Sequence, residues 1–193
     1  DVYKRQGFVV SLLNDLFGIQ VRGGCSCAGP YGHSLLGMGM EYSRAIEREI
    51  QAGTMILRPG WVRLNFNYFI DDSEFEYLLS AIELVAEHGW RLLPYYEFDE
   101  CDGVWRFLGQ HMEQVSKLET LDFLSDCVGE GKGLEGTGPM TLSAHGDLAT
   151  EELLMERPAR CFELRLTDSA ERLRWFVLPQ EVSPDLTRNS SAA

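Results

Sequence analysis

The chain has 193 residues, 45% hydrophobic and 24% charged, a composition that fits a globular domain and excludes a disordered or low-complexity chain. A net charge of −13 argues against nucleic acid or an anionic membrane surface as a partner. No apolar run is long enough to span a bilayer, and five scattered cysteines suggest a reducing, cytoplasmic setting rather than a disulfide framework.

In chain order, Asp1–Gln6 lacks apolar periodicity and resembles a translated sequencing-adapter scar, with the gene expected to continue upstream. Residues 8–17 read as a helix with Phe8, Leu12, Leu13 and Leu16 on one face, ended by Gly18. Ile19–Arg22 reads as a short strand leading into a glycine-rich loop. Residues 34–52 have helical spacing at Tyr42, Ala45, Ile46 and Ile50, with Gly53 after the end. Pro59-Gly60 is a turn, and Trp61–Phe69 alternates as a strand with Val62, Leu64, Phe66 and Tyr68 on one face. Arg63, Asn65 and Asn67 make the other face; a plain solvent-facing surface would explain it too, but asparagine is a poor strand former, which hints that the face lines a site. Asp71 and Glu74 predict a capping box on a helix that ends at Gly89. Its apolar stripe is Phe75, Leu78, Leu79, Ile82, Val85 and Ala86, placed to dock on the apolar face of the preceding strand.

Two short aromatic strands follow, Tyr95–Phe98 and Val104–Phe107. Residues 110–127 read as a surface helix, and Gly129–Gly146 as a long loop. Cys161–Leu166 and Leu173–Leu178 read as a hairpin, and the end from Ser183 as a frayed tail. The four tryptophans, Trp61, Trp90, Trp105 and Trp175, read as core or domain-contact residues. The order of elements predicts an α+β fold (an α/β sandwich), a small, mostly antiparallel sheet covered by helices on one face.

The stretch Arg22-Gly-Gly-Cys-Ser-Cys-Ala-Gly-Pro-Tyr-Gly-His33 carries the chemistry. It places Cys25, Cys27, Arg22 and His33 on one glycine-rich loop, where the backbone can approach a ligand closely and a nearby guanidinium favours a thiolate. Residues 18–70 carry a net charge of +2, against −10 over residues 97–193. The loop therefore sits in the positive part of an acidic protein, which suits a small anion such as an amino acid carboxylate. Pairing of Arg44 and Arg48 with Glu47 and Glu49 on a helix surface accounts equally well for part of that charge.

The blocks LLNDLFGIQVRGGCSCAGPYGH and RPGWVRLNFNYFIDDSEFEYLLSAIELVAEHGW resemble the small C-terminal domain of class V aminotransferases, and the likeness covers about residues 8–107. These are fold-type I enzymes that use pyridoxal phosphate. The resemblance implies a homodimer and makes 7–107 the small domain; the residues outside it divide into 1–6 (scar), 108–182 (acidic extension with a hairpin) and 183–193 (tail). In the cysteine desulfurase branch, an Arg-x-Gly-x-x-Cys-Ala-x-Pro pattern holds the persulfide-forming cysteine. Here it falls on Arg22, Gly24, Cys27, Ala28 and Pro30. Cys27 is thereby the implied nucleophile, with Cys25 beside it. Arg63 matches the arginine that grips the substrate carboxylate, with Arg22, His33 and Asn65 as further substrate-binding candidates. The chain has three lysines, Lys4, Lys117 and Lys132, none in a context suited to a Schiff base. The resemblance then implies that a missing large domain holds the cofactor and that this fragment alone is inactive.

Two other readings of the loop stay open. Cys25, Cys27 and His33 could ligate a soft metal or form a thiol redox pair. Alternatively, the cysteines are inert and His33 caps a helix.

Overall fold

The computed structural model describes residues 5–25, 29–108, 141–155 and 162–182. Helix α1 spans Gln6–Phe17 and buries Phe8, Leu12, Leu13 and Phe17. Gly18 ends it in the left-handed region (φ 65°), where its N–H donates to Asn14 and that of Ile19 to Leu13. A glycine is needed there because a Cβ would strain the backbone.

Strand β1 is Arg22–Gly24, displaced toward the loop from the expected Ile19–Arg22; Ile19 instead enters the core. Helix α2 (Gly29–Leu35) and helix α3 (Met40–Gln51) replace the single helix expected over 34–52. The break lies at Gly37, whose φ of 69° interrupts the helical path. A short 3-10 turn, Met55–Leu57, then leads to strand β2, Trp61–Arg63.

The expected strand to Phe69 is cut short at Arg63 for want of a partner: in the antiparallel register the residues after Arg63 run past Val21 and Gln20, which precede β1 and are not in a strand. Past that point Asn67 Oδ1 accepts the Phe69 N–H at 2.9 Å and bends the chain. Phe66, Tyr68 and Phe69 are exposed, so the alternating apolar face does not persist.

Helix α4 spans Asp72–His88, with the capping box formed in full: Asp71 accepts from the Glu74 N–H at 2.8 Å, and Glu74 from the Asp71 N–H at 3.1 Å. Its inward face is rotated from the expected stripe. Ala81 and Val85 are buried, with Tyr77, Leu78 and Leu84 packed beside them, whereas Phe75 and Ile82 are exposed. The rotation follows from its neighbours, α1, helix α5 (Leu142–Leu154) and the 3-10 segment Gly89–Tyr95, rather than β2. Tyr77 Oη donates to the Phe17 carbonyl at 2.9 Å and ties α4 to the end of α1.

The two expected aromatic strands are β3 (Tyr96–Asp99, one residue later than expected) and β4 (Val104–Phe107), and they pair as an antiparallel hairpin. Tyr96 and Trp105 stand edge-on against Phe8 of α1, with centroids 5.3 and 5.5 Å away. The fold is α+β, and among the described residues the strands form two separate two-stranded antiparallel ribbons, β1–β2 and β3–β4.

The C-terminal half differs most from expectation. Residues 110–127 and 183–193 lie outside the described residues. Residues 142–146, expected in a loop, open helix α5, which Thr141 caps through the Ala144 N–H. The expected hairpin is absent among the described residues. Helix α6 (Asp168–Leu173), capped by Thr167, occupies its centre. The Gln180 side chain stands in for a strand partner, accepting from the Leu164 N–H at 3.2 Å and donating to the Leu164 carbonyl at 2.8 Å. Ala149, Leu153, Leu164, Ala170, Phe176 and Val182 join the same core as Phe8 and Leu12, so residues on both sides of the expected boundary at 107 bury one core.

Arg5 and Gln6, read as part of a scar, are packed into this arrangement. The Arg5 guanidinium is buried 3.2 Å above the Phe176 ring centroid and donates to the Ile56 carbonyl. Burial first, then the nearby charge of Arg174, holds its pKa well below the ordinary arginine value. Among the described residues no helix is long and apolar enough to cross a membrane.

Candidate functional site

The β1–β2 ribbon builds the site. Its register sets Arg22 opposite Arg63, Gly23 opposite Val62 and Gly24 opposite Trp61. Residues two apart on a strand, and their direct cross-strand partners, share a face. Arg22, Arg63, Trp61 and Gly24 therefore belong to one face of the ribbon, and Val62 to the other. Like charges set directly opposite one another destabilise a strand pair. Both arginines are exposed, and together they make a face suited to an anion.

Two glycine contacts hold the end of β1 and helix α2 against β2. At Gly60 a Cβ would stand 2.5 Å from the Gly24 carbonyl carbon and 2.6 Å from its Cα, so the turn before β2 lies on the backbone of β1. Gly24 itself takes a φ of 112°, which releases the chain from the strand into the loop. At Gly32, buried in α2, a Cβ would lie 3.2 Å from Trp61 Cζ3 and 3.3 Å from Cys25 Cβ. Helix α2 thus returns from the loop to rest on the Trp61 ring and on Cys25 together.

The candidate residues divide accordingly. Arg22, Arg63 and Cys25 are brought to one region, with Cys25 half-buried at the end of β1. Cys27 lies outside the described residues. His33 is inside α2, next to Gly32 and half-buried, so it caps no helix N-terminus; Gly39 holds the N-cap of α3. Asn65 follows the end of β2 and is exposed. Asn67, read with it as part of a polar strand face, serves its own turn instead. Trp61, read as a core or domain-contact residue, lies beside the loop. The sequence signal for that role was its place directly after Pro59-Gly60, where a turn must deliver β2 onto β1.

No group of three or more metal-binding side chains comes together among the described residues. All three lysines lie outside them, so the described residues offer no lysine amine for pyridoxal phosphate. What they present is a guanidinium pair for a carboxylate and a thiol at its edge.

No family model, curated protein or solved structure matches this chain.

Proposed function

We propose that the chain is the small C-terminal part of a pyridoxal phosphate enzyme similar to class V aminotransferases. Its ribbon face binds the carboxylate of an amino acid, and its cysteine loop supplies the thiol of a desulfurase or lyase. The observation that supports this reading is the β1–β2 register, which sets Arg63 opposite Arg22 at the start of the strand that leads to Cys25. In this reading the two arginines fix both the charge and the orientation of the amino acid through charged hydrogen bonds. Cys27 is the sulfur-accepting thiolate, a role that needs positive charge nearby. In this reading the Schiff-base amine belongs to a large domain elsewhere in the polypeptide, as the resemblance implies. A cytoplasmic homodimer completes the proposal, because fold-type I sites lie at subunit interfaces.

Timed labelling with iodoacetamide, followed by peptide mapping, tests the reading. Cys27 should label ahead of Cys101, Cys127 and Cys161, and Arg22→Ala should remove part of that lead. Uniform labelling of all five cysteines would contradict it. A stoichiometric, borohydride-trapped aldimine on one lysine of this chain would place the cofactor here instead.

A further inference from the structure

We infer that the outer side of α4 is a docking surface for a basic amphipathic helix of a partner protein. Its parts are an apolar row along α4, the exposed aromatic rings that precede the helix, and an acidic row beside the apolar one. Nothing in this surface depends on the cofactor or on the cysteines.

The apolar row follows from the rotation of α4. Ala81 and Val85 are buried, with Tyr77, Leu78 and Leu84 packed beside them, which leaves Phe75, Leu79 and Ile82 on a different side of the helix. These three are spaced four and three residues apart, so they lie in one row over two turns. That is the spacing with which one helix seats another. Phe75 and Ile82 are exposed and Leu79 is half-buried. Before the helix, the Phe66 ring meets Phe75 edge-on with centroids 5.3 Å apart. Tyr68 and Phe69, 87% and 77% exposed, stand together with centroids 3.9 Å apart. Single apolar residues are ordinary on a protein surface, but large side chains gathered in this way mark an interaction site.

Charge decides the kind of partner. Asp72, Glu76, Glu83 and Glu87 are spaced four, seven and four residues apart and form a second row on α4. Glu76 and Glu83 each directly follow a residue of the apolar row, so the acidic row is turned about 100° from it around the helix axis. All four carboxylates are exposed, and among the described residues none is paired with a lysine or arginine. The helix itself contains no lysine or arginine. An apolar row bordered by carboxylates complements a helix whose apolar side is bordered by lysine or arginine. A second copy of this chain would bring the same carboxylates to the contact, and opposed like charges disfavour that pairing.

The test titrates the whole chain into two fluorescent synthetic helical peptides and reads their anisotropy. One peptide is built of leucine and lysine, the other of leucine and glutamate in the same spacing. The lysine peptide should bind and the glutamate peptide should not. Ile82→Ser should weaken binding of the lysine peptide about tenfold, the loss expected when an interface gives up one anchor. Exchanging two charges together, Glu76→Lys with Glu83→Lys, should reverse the preference toward the glutamate peptide. All three positions are exposed, so circular dichroism should show the fold retained, and Ile82→Ser decides alone if the exchanged pair fails to fold. Equal binding of the two peptides, binding of neither, or an affinity that folded Ile82→Ser leaves unchanged overturns the inference. So does a folded exchanged pair that keeps the preference for lysine. A wild-type dimer in sedimentation that Ile82→Ser turns into a monomer also overturns it, by giving the row to a second copy.

Discussion

The β3–β4 hairpin and the β1–β2 ribbon are both pairs of antiparallel strands, yet they are held in different ways. The hairpin joins neighbours in sequence through the turn at Glu100–Gly103, and Glu97 faces Arg106 across it. Its Tyr96, Phe98 and Trp105 are buried. The ribbon joins segments separated by two helices, sets arginine against arginine, and buries none of its own side chains. In the hairpin, side chains supply the stability. In the ribbon, stability comes from glycine backbones in close approach and from an aromatic ring under α2. An element placed against its own electrostatic preference is better explained by what it presents than by what it stabilises.

Three perturbations break or sharpen this contrast. Trp105→Ala should have the largest effect, because Trp105 is 3% exposed and packs against Phe8 and Phe98. Loss of a large buried ring costs about 3–5 kcal/mol, and urea titration should show the whole domain destabilised. Retention of wild-type stability would mean that the hairpin does not anchor the core.

Gly60→Ala should cost less and act elsewhere. The methyl meets Gly24 backbone that cannot yield, an overpacking strain of about 1–3 kcal/mol. Hydrogen exchange should quicken at Gly23 and Val62 while Leu93 and Tyr96 in the core keep their protection. Equal loss at all four amides would abolish the distinction between the two ribbons.

The smallest effect expected is that of acid. Asp99 sits below its ordinary value of 3.8, chiefly because it accepts the Cys101 N–H, and Arg106 at 2.8 Å adds to the shift. Asp71 is also lowered, first by the Ser73 hydroxyl and then by the Glu74 N–H. A carboxyl with a depressed folded pKa contributes stability that is complete above its unfolded pKa and is lost as pH falls through the folded one. The hairpin turn and the start of α4 should therefore loosen below about pH 4. Chemical shifts of the Cys101 and Glu74 amides during an acid titration would check this, with those of Leu93 in the core as reference.

Elements governed by neighbouring residues were legible in the sequence. The Gly18 stop of α1, the Asp71–Glu74 box of α4 and the β4 strand at Val104–Phe107 all lie where local rules place them. These features follow from residues within a few positions of one another, so composition and spacing suffice. The cysteine loop, the arginines and the polar character of the face beyond Pro59 were legible as residue types in the same way.

The tertiary structure decided the rest. It stopped β2 at Arg63 because β1 had only three residues to offer, and turned the inward face of α4 toward Ala81 and Val85 because α1 and α5 lie there. It made a helix, Asp168–Leu173, of residues at the centre of an expected hairpin. Above all it set Arg22 against Arg63 and Trp61 beneath Gly32. No local pattern encodes these meetings, since each depends on how distant segments close on one another around a shared core. Residue types and nearby spacing thus determined the chemistry this chain carries, and only long-range packing determined which of those groups stand together.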